Sequence, residues 1–288
     1  MSVLHNPHGQ FDAALCAALE ANIDAALAED IGSGDLTSLL VPASLKVSAR
    51  VTVREEAVLC GAPWFKGVMT RVDPQIVIRW NHAEGDLMQA NGMVCTVTGP
   101  ARSLLTAERA GLNFLQLLSG VASSTWRHVQ AVAGTAARIL DTRKTLPGLR
   151  LAQKYAVRVG GGDNQRLALY DGILIKDNHV ATAGGVAAAF QAAQALNSGG
   201  PVQIEVESLD QLRLALEVGA TSVLLDNFSI ALMREAVAIS AGRAVLEASG
   251  GVSLVTLGEI AEIGVDRISV GGLTKNVQAT DYSMRIIG

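Results

Sequence analysis

The sequence predicts an α/β protein in two parts, a helix over a mainly antiparallel sheet followed by an incomplete parallel barrel. Apolar residues recur every four positions in residues 10–29, whereas they alternate with polar residues from Lys46 to Arg54. The first period is typical of a helix, and the second is typical of a strand with one buried face. Further along, short apolar runs alternate with helix-forming stretches, which is the order of elements in a parallel α/β barrel.

The N-terminal part contains two more predicted strands and a second helix. Alternating apolar residues in residues 76–80 indicate one strand, and the turn signal Asn91-Gly92 precedes a second at residues 93–98. A leucine-rich stretch then predicts a helix over residues 103–120, with Ser103 as its N-cap. A helix packed on a mainly antiparallel sheet accounts for this part of the chain.

The C-terminal part contains six apolar runs, each ending in polar or charged residues and each suited to a buried parallel strand. These runs are residues 138–140, 172–175, 202–206, 222–225, 244–246 and 267–270. A complete barrel of this kind has about eight strands. We therefore expect an incomplete, open TIM-like α/β barrel.

Composition excludes several classes of protein. With 288 residues, 49% hydrophobic and 17% charged, the chain is able to bury a large core and is not disordered. A formal net charge of -4 provides no basic field for nucleic acid or an anionic membrane. No apolar stretch approaches about 18 residues and no signal peptide is recognisable, so we expect a cytoplasmic protein without a membrane span. The three cysteines are predicted to be buried thiols outside disulfides.

Charged residues at the ends of the predicted strands mark the candidate active site. In parallel barrels the catalytic residues lie where strands end and loops begin, so residues distant in sequence converge on one cavity. The charged residues in such positions are Arg143, Lys144, Lys176, Glu205 and Asp226, with Glu247 nearby. The cations predict a local anion site in a protein that is acidic as a whole.

Glycine turns and carboxylates narrow the ligand class. Ser249-Gly250-Gly251 and Gly271-Gly272 follow the last two strands, where barrels often bind phosphate through backbone N–H groups, although a double glycine also marks a simple turn. Glu205 and Asp226 are suited to Mg²⁺ bridging a pyrophosphate, to sugar hydroxyls or to a developing oxocarbenium ion. Together these features point to transfer of a phosphorylated sugar.

Several motifs resemble those of the quinolinate phosphoribosyltransferases and occur in the same order from about residue 20 onwards. They are Glu29-Asp-Ile-Gly-Ser-Gly-Asp-Leu-Thr37, Thr142-Arg-Lys-Thr-Leu-Pro-Gly-Leu-Arg150, Lys154-Tyr-Ala-Val157, Gly160-Gly-Gly-Asp-Asn164, Leu174-Ile-Lys-Asp-Asn-His179, Leu224-Leu-Asp-Asn-Phe228 and Ile268-Ser-Val-Gly-Gly-Leu-Thr-Lys275. Each motif is weak by itself, and the combination is specific.

The resemblance implies an enzyme of de novo NAD biosynthesis. The implied reaction converts quinolinate and phosphoribosyl pyrophosphate into nicotinate mononucleotide, carbon dioxide and pyrophosphate, with Mg²⁺ and no organic cofactor. The implied fold is an N-terminal α/β sandwich, which we assign to residues 1–120, and an open barrel, which we assign to residues 121–276. The tail at about residues 277–288 is a candidate to pack back on the sandwich. A homodimer is implied, with the sandwich of one subunit covering the barrel mouth of the other, and a higher oligomer stays open.

The resemblance also assigns roles to individual residues. The implied substrate-binding set is Arg109 donated across the dimer interface to quinolinate, Arg143, Lys144 and Arg166 at the quinolinate carboxylates, Lys176, Glu205 and Asp226 around the ribose, pyrophosphate and Mg²⁺, Ser249, Gly250, Gly271 and Gly272 at the phosphate-binding turns, and Thr142 and Gln165 beside them. Lys144, Glu205 and Asp226 are the candidate catalytic residues. Glu205 and Asp226 are the candidate Mg²⁺ ligands.

Three points stay open. The family commonly has Asn-His-Arg where this chain has Asn164-Gln165-Arg166, and an amide cannot become cationic. His179 is either catalytic or part of a turn, and Glu247 faces the cavity only if the strand register places it there. The alternative functions are a related phosphoribosyltransferase or pyrophosphorylase for another anionic base, and a non-catalytic phosphate-binding barrel.

Overall fold

The computed structural model describes residues 12–196 and 198–287. In the first part of the chain the helices and strands are α1 Ala13–Ile31, a 3₁₀ turn Ser38–Leu40, β1 Lys46–Val53, β2 Ala57–Val58, α2 Ala62–Val72, β3 Val77–Trp80, β4 Leu87–Met88, β5 Met93–Pro100 and α3 Ala101–Ala131. The remaining elements are β6 Arg138–Leu140, α4 Arg150–Val159, β7 Ile173–Ile175, α5 Asp177–Ala183, α6 Val186–Ala195, β8 Val202–Val206, α7 Leu209–Glu217, β9 Ser222–Asp226, α8 Ile230–Ser240, β10 Val245–Ser249, α9 Leu254–Glu262, β11 Arg267–Ser269, α10 Gly272–Lys275 and β12 Tyr282–Ile287.

The chain divides into two compact units. Within the described chain, the first consists of residues 12–126, 145–161 and 273–287, and the second of residues 127–144, 162–196 and 198–272. Among the described residues, no helix is long and apolar enough to cross a membrane.

The first unit is built on a four-stranded antiparallel sheet in the order β12-β1-β5-β3. The predicted alternation in β1 is confirmed, because Ala49, Val51 and Val53 are fully buried. The C-terminal strand β12 pairs with β1, with Met284 opposite Val51. This pairing brings the end of the chain into the first unit.

The first predicted helix corresponds to α1. Its predicted start at residues 10–11 lies outside the described residues, and α1 begins after Asp12, whose carboxylate accepts a hydrogen bond from the Leu15 backbone N–H at 2.7 Å. An Asp side chain at this position satisfies one of the helix's unpaired N–H groups. The predicted end at residue 29 is two residues short of the observed end at Ile31.

The predicted limits of the second helix were wrong. β5 runs directly into α3 at Ala101, so Ser103 lies inside the helix, where its hydroxyl donates to Asp73 Oδ2 at 2.7 Å instead of capping. α3 also continues past residue 120 to Ala131, because Val121 and Ala122 are fully buried by residues elsewhere in the chain. Burial outside the leucine stripe therefore extended the helix.

The second unit is a six-stranded, all-parallel sheet in the order β6-β11-β10-β9-β8-β7. Each of the six predicted barrel strands is present, with boundaries shifted by at most a few residues. In the described part of the chain β6 and β7 are not paired with each other, and an isolated bridge places Asp163 beside Leu140 at the β6 edge. The predicted incomplete α/β barrel is confirmed.

Three of the helices between the parallel strands, α7, α8 and α9, begin after serine residues. The hydroxyls of Ser208, Ser229 and Ser253 accept hydrogen bonds from backbone N–H groups three residues later, at the starts of α7, α8 and α9. Such N-caps let each helix start close to the end of the preceding strand. They leave short connections between strand and helix at the edge of the sheet where the candidate site lies.

The prediction for the cysteines was partly wrong. Cys60 and Cys95 are buried and none of the three is in a disulfide, as expected, but Cys16 is exposed. Cys16 lies on α1, whose buried residues are Leu15 and Ile23, so the cysteine falls outside the packed face.

Candidate active site

A cavity of about 320 Å³ lies within the second unit, at the ends of the parallel strands. Its lining residues are Thr142, Arg143, Lys144, Gln165, Arg166, Leu174, Lys176, Glu205, Leu224, Glu247, Ser249 and Ser269. Every strand of the sheet contributes at least one of these residues, either from the strand itself or from the segment that follows it. Eight of the thirteen predicted site residues line the cavity.

Strand register explains why these side chains meet. Leu224 on β9 lies opposite Glu205 on β8 and opposite Glu247 on β10, so the three residues form one row across the sheet. Two residues further along, Asp226 lies opposite Ser249. Because residues two apart on a strand share a face, both rows lie on the cavity side of the sheet, although Asp226 is not one of the lining residues. The register thus places Glu247 inside the cavity, which the sequence left open.

The cavity carries an excess of positive charge. Its lining contains four cationic side chains, Arg143, Lys144, Arg166 and Lys176, against the carboxylates of Glu205 and Glu247. This local excess contrasts with the net charge of -4 for the whole chain. The arrangement fits the predicted anion site.

Buried polar atoms without hydrogen-bond partners indicate which groups a ligand of the cavity would supply. Among the described residues four buried side-chain polar atoms have no hydrogen-bond partner, and three of them belong to this cavity: Arg143 Nε, Arg166 Nε and Glu247 Oε1. A buried polar atom left unpaired costs about 1–3 kcal/mol. Two donors and one acceptor are therefore positioned for a ligand that brings anionic oxygens and a donor group.

The two arginines act on each other. Burial, and then the positive charge of Arg143, lower the pKa of the Arg166 guanidinium, whereas Asp171 and Glu205 oppose the shift. A guanidinium keeps its proton under all ordinary conditions, so the repulsion between the two arginines persists. An anion bound between them would relieve it.

Glu205 is the most perturbed carboxylate of the cavity. Burial raises its pKa, and Asp226 raises it further, whereas Lys176 lowers it. Lys176 Nζ lies 3.6 Å from Glu205 Oε2 in an ion pair. Glu205 and Asp226 therefore act on each other while Lys176 offsets part of their charge.

Asp141 holds the loop that carries Gln165 and Arg166. The carboxylate is fully buried and accepts hydrogen bonds from Asn164 Nδ2 at 2.6 Å and from the Gln165 backbone N–H at 2.9 Å. Asp141 directly follows β6, so one strand end fixes the position of a loop more than twenty residues later. This anchoring role was not predicted.

The side chain of Gln165 is held by residues under the cavity. Its Nε2 donates to Gln203 Oε1 at 3.0 Å, and Gln203 Nε2 donates to Glu247 Oε2 at 2.9 Å. Gln203 is 7% exposed and Glu247 is 1% exposed. Gln203 was not predicted as a site residue.

Two predicted glycines lie against other site residues. A Cβ at Gly250, which has φ +92°, would clash with Asn227 Oδ1, and a Cβ at Gly271 would meet Lys144 Cδ at 3.1 Å. Asn227 Nδ2 in turn donates to Asp226 Oδ2 at 2.9 Å. Gly250 therefore leaves space for the amide that holds Asp226. Gly272 is the first residue of α10, and phosphate binding by these glycines stays a prediction.

Two candidate residues lie elsewhere or have another role. Arg109 belongs to the first unit, where it is an exposed residue of α3 with Nη1 3.5 Å from Gln116 Oε1. His179 is exposed, and its Nδ1 accepts the Lys176 backbone N–H at 2.9 Å. The structure therefore favours the turn interpretation of His179, which holds the backbone of Lys176.

The cavity also contains residues that sequence reasoning missed. Leu174, Leu224 and Ser269 are lining residues that were not predicted. Leu174 and Leu224 each lie two residues before a predicted site residue, Lys176 and Asp226, on the same strand face. Counting back by two from each rim residue would have found them.

Three carboxylates lie in or beside the cavity: Glu205 and Glu247 in its lining, and Asp226 opposite the lining residue Ser249. In the part of the chain that the structure describes, no group of three or more His, Cys, Asp or Glu residues is arranged to hold a metal ion. Mg²⁺ is usually held in such enzymes by one or two carboxylates together with substrate phosphates. Glu205 and Asp226, which act on each other electrostatically, fit that pattern.

An open parallel barrel with a cation-lined cavity at its strand ends defines an enzyme-like site for anionic small molecules. Residues 121–285 match the family model described as the quinolinate phosphoribosyl transferase C-terminal domain, and residues 35–119 match the model of its N-terminal domain. The chain belongs to the quinolinate phosphoribosyltransferase family.

Similar proteins agree over nearly the full length. A nicotinate-nucleotide pyrophosphorylase [carboxylating] of Mycobacterium leprae is 43% identical over 96% of this chain and 98% of the relative. A probable nicotinate-nucleotide pyrophosphorylase [carboxylating] of Bacillus subtilis is 38% identical over 90% of both chains. The structure of the nicotinate-nucleotide pyrophosphorylase from Francisella tularensis matches with a TM-score of 0.92, 40% identity and full coverage of both chains.

Proposed function

We propose that the protein transfers a phosphoribosyl group from phosphoribosyl pyrophosphate to quinolinate and releases nicotinate mononucleotide, carbon dioxide and pyrophosphate. The observation that carries the proposal is the pair of buried arginine Nε atoms, at Arg143 and Arg166, without partners in a cation-lined cavity. Quinolinate is a dianion with two adjacent carboxylates, so its burial requires fixed cationic donors. The relatives' names agree with this activity. We place it in NAD biosynthesis and propose a cytoplasmic location for this protein.

Quinolinate is bound by the guanidinium groups. A guanidinium offers parallel N–H donors that match a planar carboxylate, so Arg143 and Arg166 each hold one carboxylate of the substrate. Thr142 and Gln165 complete the polar lining beside them. Bound carboxylates would also remove the unfavourable repulsion that Arg143 exerts on Arg166.

The phosphorylated sugar occupies the other side of the cavity. Lys176 supplies a compact positive charge for its phosphates, whereas Lys144 lies with the arginines that bind quinolinate, and Ser249, Gly250, Gly271 and Gly272 offer backbone and hydroxyl donors. Glu205 and Asp226 accept hydrogen bonds from ribose hydroxyls and stabilise positive charge that develops at the anomeric carbon. The same two carboxylates would hold Mg²⁺, which neutralises the departing pyrophosphate.

The chemical step needs no covalent bond to the protein. The pyridine nitrogen uses its lone pair to form a bond to the anomeric carbon while the bond from that carbon to pyrophosphate breaks. The ring nitrogen is then cationic and stabilises the electron pair left when the neighbouring carboxylate departs as carbon dioxide. The ring carbon finally takes a proton from water. The protein contributes positioning and fixed charge.

The proposed assembly is a homodimer in which Arg109 of each subunit reaches the partner's cavity. Arg109 is exposed on α3, and Thr106, one turn earlier on this helix, donates to Asp35 Oδ2 at 2.8 Å. The segment after Asp35 exposes Leu36, Leu39 and Leu40, which are 83%, 61% and 83% exposed. Clustered exposed leucines beside a functional arginine support a subunit interface. Dimers could assemble further through other faces.

An assay with quinolinate, phosphoribosyl pyrophosphate and Mg²⁺ tests the function. Nicotinate mononucleotide and carbon dioxide should form in equal amounts. Arg143→Lys should raise the KM for quinolinate by about tenfold or more, because an ammonium cannot replace the bidentate fork. The matched change Arg234→Lys, on an exposed arginine of α8, should leave it unaltered. Turnover of nicotinate or another anionic base without turnover of quinolinate would favour the related pyrophosphorylase instead.

A further inference from the structure

We propose that Gln203 and Glu247 are positioning residues that hold the amide of Gln165 in one orientation for binding of quinolinate. The inference rests on the proposed function, because it concerns the same cavity and ligand. Gln165, Gln203 and Glu247 will be called the amide relay.

The amide relay joins three separate segments of the barrel. Gln165 lies in the loop held by Asp141, Gln203 lies on β8 and Glu247 lies on β10. The two hydrogen bonds are 3.0 Å and 2.9 Å long, which is normal for N–H donors to oxygen. Gln165 and Glu247 line the cavity, whereas Gln203 lies behind its lining.

The carboxylate of Glu247 determines the direction of both hydrogen bonds. In the structure Gln203 donates through Nε2 to Glu247 Oε2, so the oxygen of Gln203 faces Gln165 and accepts from it. Gln165 then has to present its own NH₂ group to Gln203. An amide side chain could otherwise be placed with its nitrogen and oxygen exchanged. Glu247 therefore fixes which end of the Gln165 amide faces Gln203, although it contacts Gln165 only through Gln203.

Burial makes this direction costly to reverse. Gln203 is 7% exposed and Glu247 is 1% exposed, so water cannot replace a lost relay bond at these positions. Hydrogen bonds in a poorly solvated network strengthen one another, and an unpaired member is correspondingly unfavourable. Asp141 fixes the backbone of Gln165 and the amide relay fixes its side chain. Quinolinate therefore meets an amide that is already ordered.

A double-mutant cycle tests the inference. Gln203→Met keeps the length of the side chain and removes both relay bonds. It should raise the Kd for quinolinate, measured by calorimetry, by about tenfold in the otherwise unchanged protein, as expected for contacting residues. In a Gln165→Ala background it should change the Kd by less than about twofold. The KM for quinolinate should rise in parallel while kcat stays within about twofold, because the residue acts on binding.

Controls separate positioning from loss of folding. Gln194→Met alters an exposed glutamine of α6 and should leave the Kd unchanged. Gln203→Asn keeps a buried amide that is one methylene too short to bridge its neighbours, so it should reproduce the loss and the coupling even if Gln203→Met does not fold. Equal losses of affinity with and without the Gln165 side chain would overturn the inference, as would unchanged affinity for quinolinate.

The outcome also distinguishes this inference from the proposed function. If the unaltered protein binds and converts quinolinate but the cycle shows no coupling, the amide relay is wrong and the function stands. If the unaltered protein neither binds nor converts quinolinate in the presence of phosphoribosyl pyrophosphate and Mg²⁺, both proposals are wrong.

Discussion

At the scale of single residues, Glu205 shows how the cavity uses charge. Its pKa is raised by burial and by Asp226, and Lys176 only partly offsets these effects. Raising the pKa of a carboxyl group makes it harder to ionise. The cavity therefore holds Glu205 closer to the point of protonation than an ordinary exposed glutamate, and positive charge that develops on a bound substrate would favour its ionised form.

This perturbation predicts the pH dependence of catalysis. Because the pKa is raised, Glu205 takes up a proton at a higher pH than an ordinary glutamate, and kcat/KM should fall as the pH is lowered through that raised value. Lys176→Ala should move this fall of kcat/KM to still higher pH, since Lys176 lowers the pKa of Glu205. Initial rates at acidic pH values measure the pH at which kcat/KM falls. A fall at the same pH in the unaltered protein and in the Lys176→Ala variant would contradict the assignment of this fall to Glu205.

Gln165 gives a second prediction at this scale. A glutamine amide does not titrate, whereas a histidine changes charge near neutral pH. Gln165→His should therefore make the KM for quinolinate decrease as the pH falls from about 8 to 6, because the imidazolium attracts a carboxylate. The unaltered protein should show a flatter profile. An unchanged KM across this range in the Gln165→His variant would argue against contact with the substrate.

At the scale of elements, α2 illustrates a cap that comes from outside the helix. Its N-cap residue Gly61 has no side chain that could cap the helix. The buried carboxylate of Glu84 instead accepts hydrogen bonds from the backbone N–H groups of Gly61 at 2.7 Å and of Ala62 at 3.0 Å. Tyr155 also donates its hydroxyl to Glu84 Oε1 at 3.1 Å. One carboxylate thus satisfies the start of α2 and joins it to α4.

Replacing that carboxylate should destabilise the protein. Glu84→Gln keeps the size of the side chain but places an NH₂ group against a backbone N–H that needs an acceptor. We expect the free energy of unfolding to fall by about 1–3 kcal/mol. Urea titration followed by circular dichroism measures it, with Glu56→Gln, at an exposed glutamate, as the control. Equal stability of the two variants would show that the cap contributes nothing.

The elements also show which predictions are local. All six barrel strands were predicted, because a short apolar run bounded by polar residues is a property of consecutive residues. The two ends of α3 were not predicted correctly. Its extension to Ala131 accompanies the complete burial of Val121 and Ala122, which the local sequence pattern did not reveal. Glu84 could not be identified as a cap for the same reason, being more than twenty residues from Gly61.

At the scale of the whole molecule, the proposed dimer predicts complementation between subunits. Arg109→Ala and Lys144→Ala should each inactivate the homodimer, because each removes one part of every shared site. Mixed dimers formed by unfolding and refolding the two variants together should contain one intact site, made of the unaltered Arg109 and the unaltered Lys144. About half of the dimers in an equal mixture should be mixed if assembly is random.

The recovery of activity after mixing is the measurement. Samples of each variant refolded alone provide the control and should stay inactive. Activity in the mixture no greater than in the separate samples would contradict a cross-subunit role for Arg109. Sedimentation of the unaltered protein would independently report whether it is a dimer.

The sequence by itself determined the six parallel strands, the incomplete barrel, the family and the cluster of charged residues at strand ends, whereas α2 and β12 were not predicted. These features follow from hydrophobic period and from motifs, which are both local. The tertiary structure decided which polar residues stand behind that cluster. Asp141 and Gln203 are ordinary polar residues in the sequence, and their roles, like the placement of Glu247 in the cavity lining, arise from strand register and burial. A hydrogen bond between segments depends on both partners' positions, which no single stretch of sequence contains.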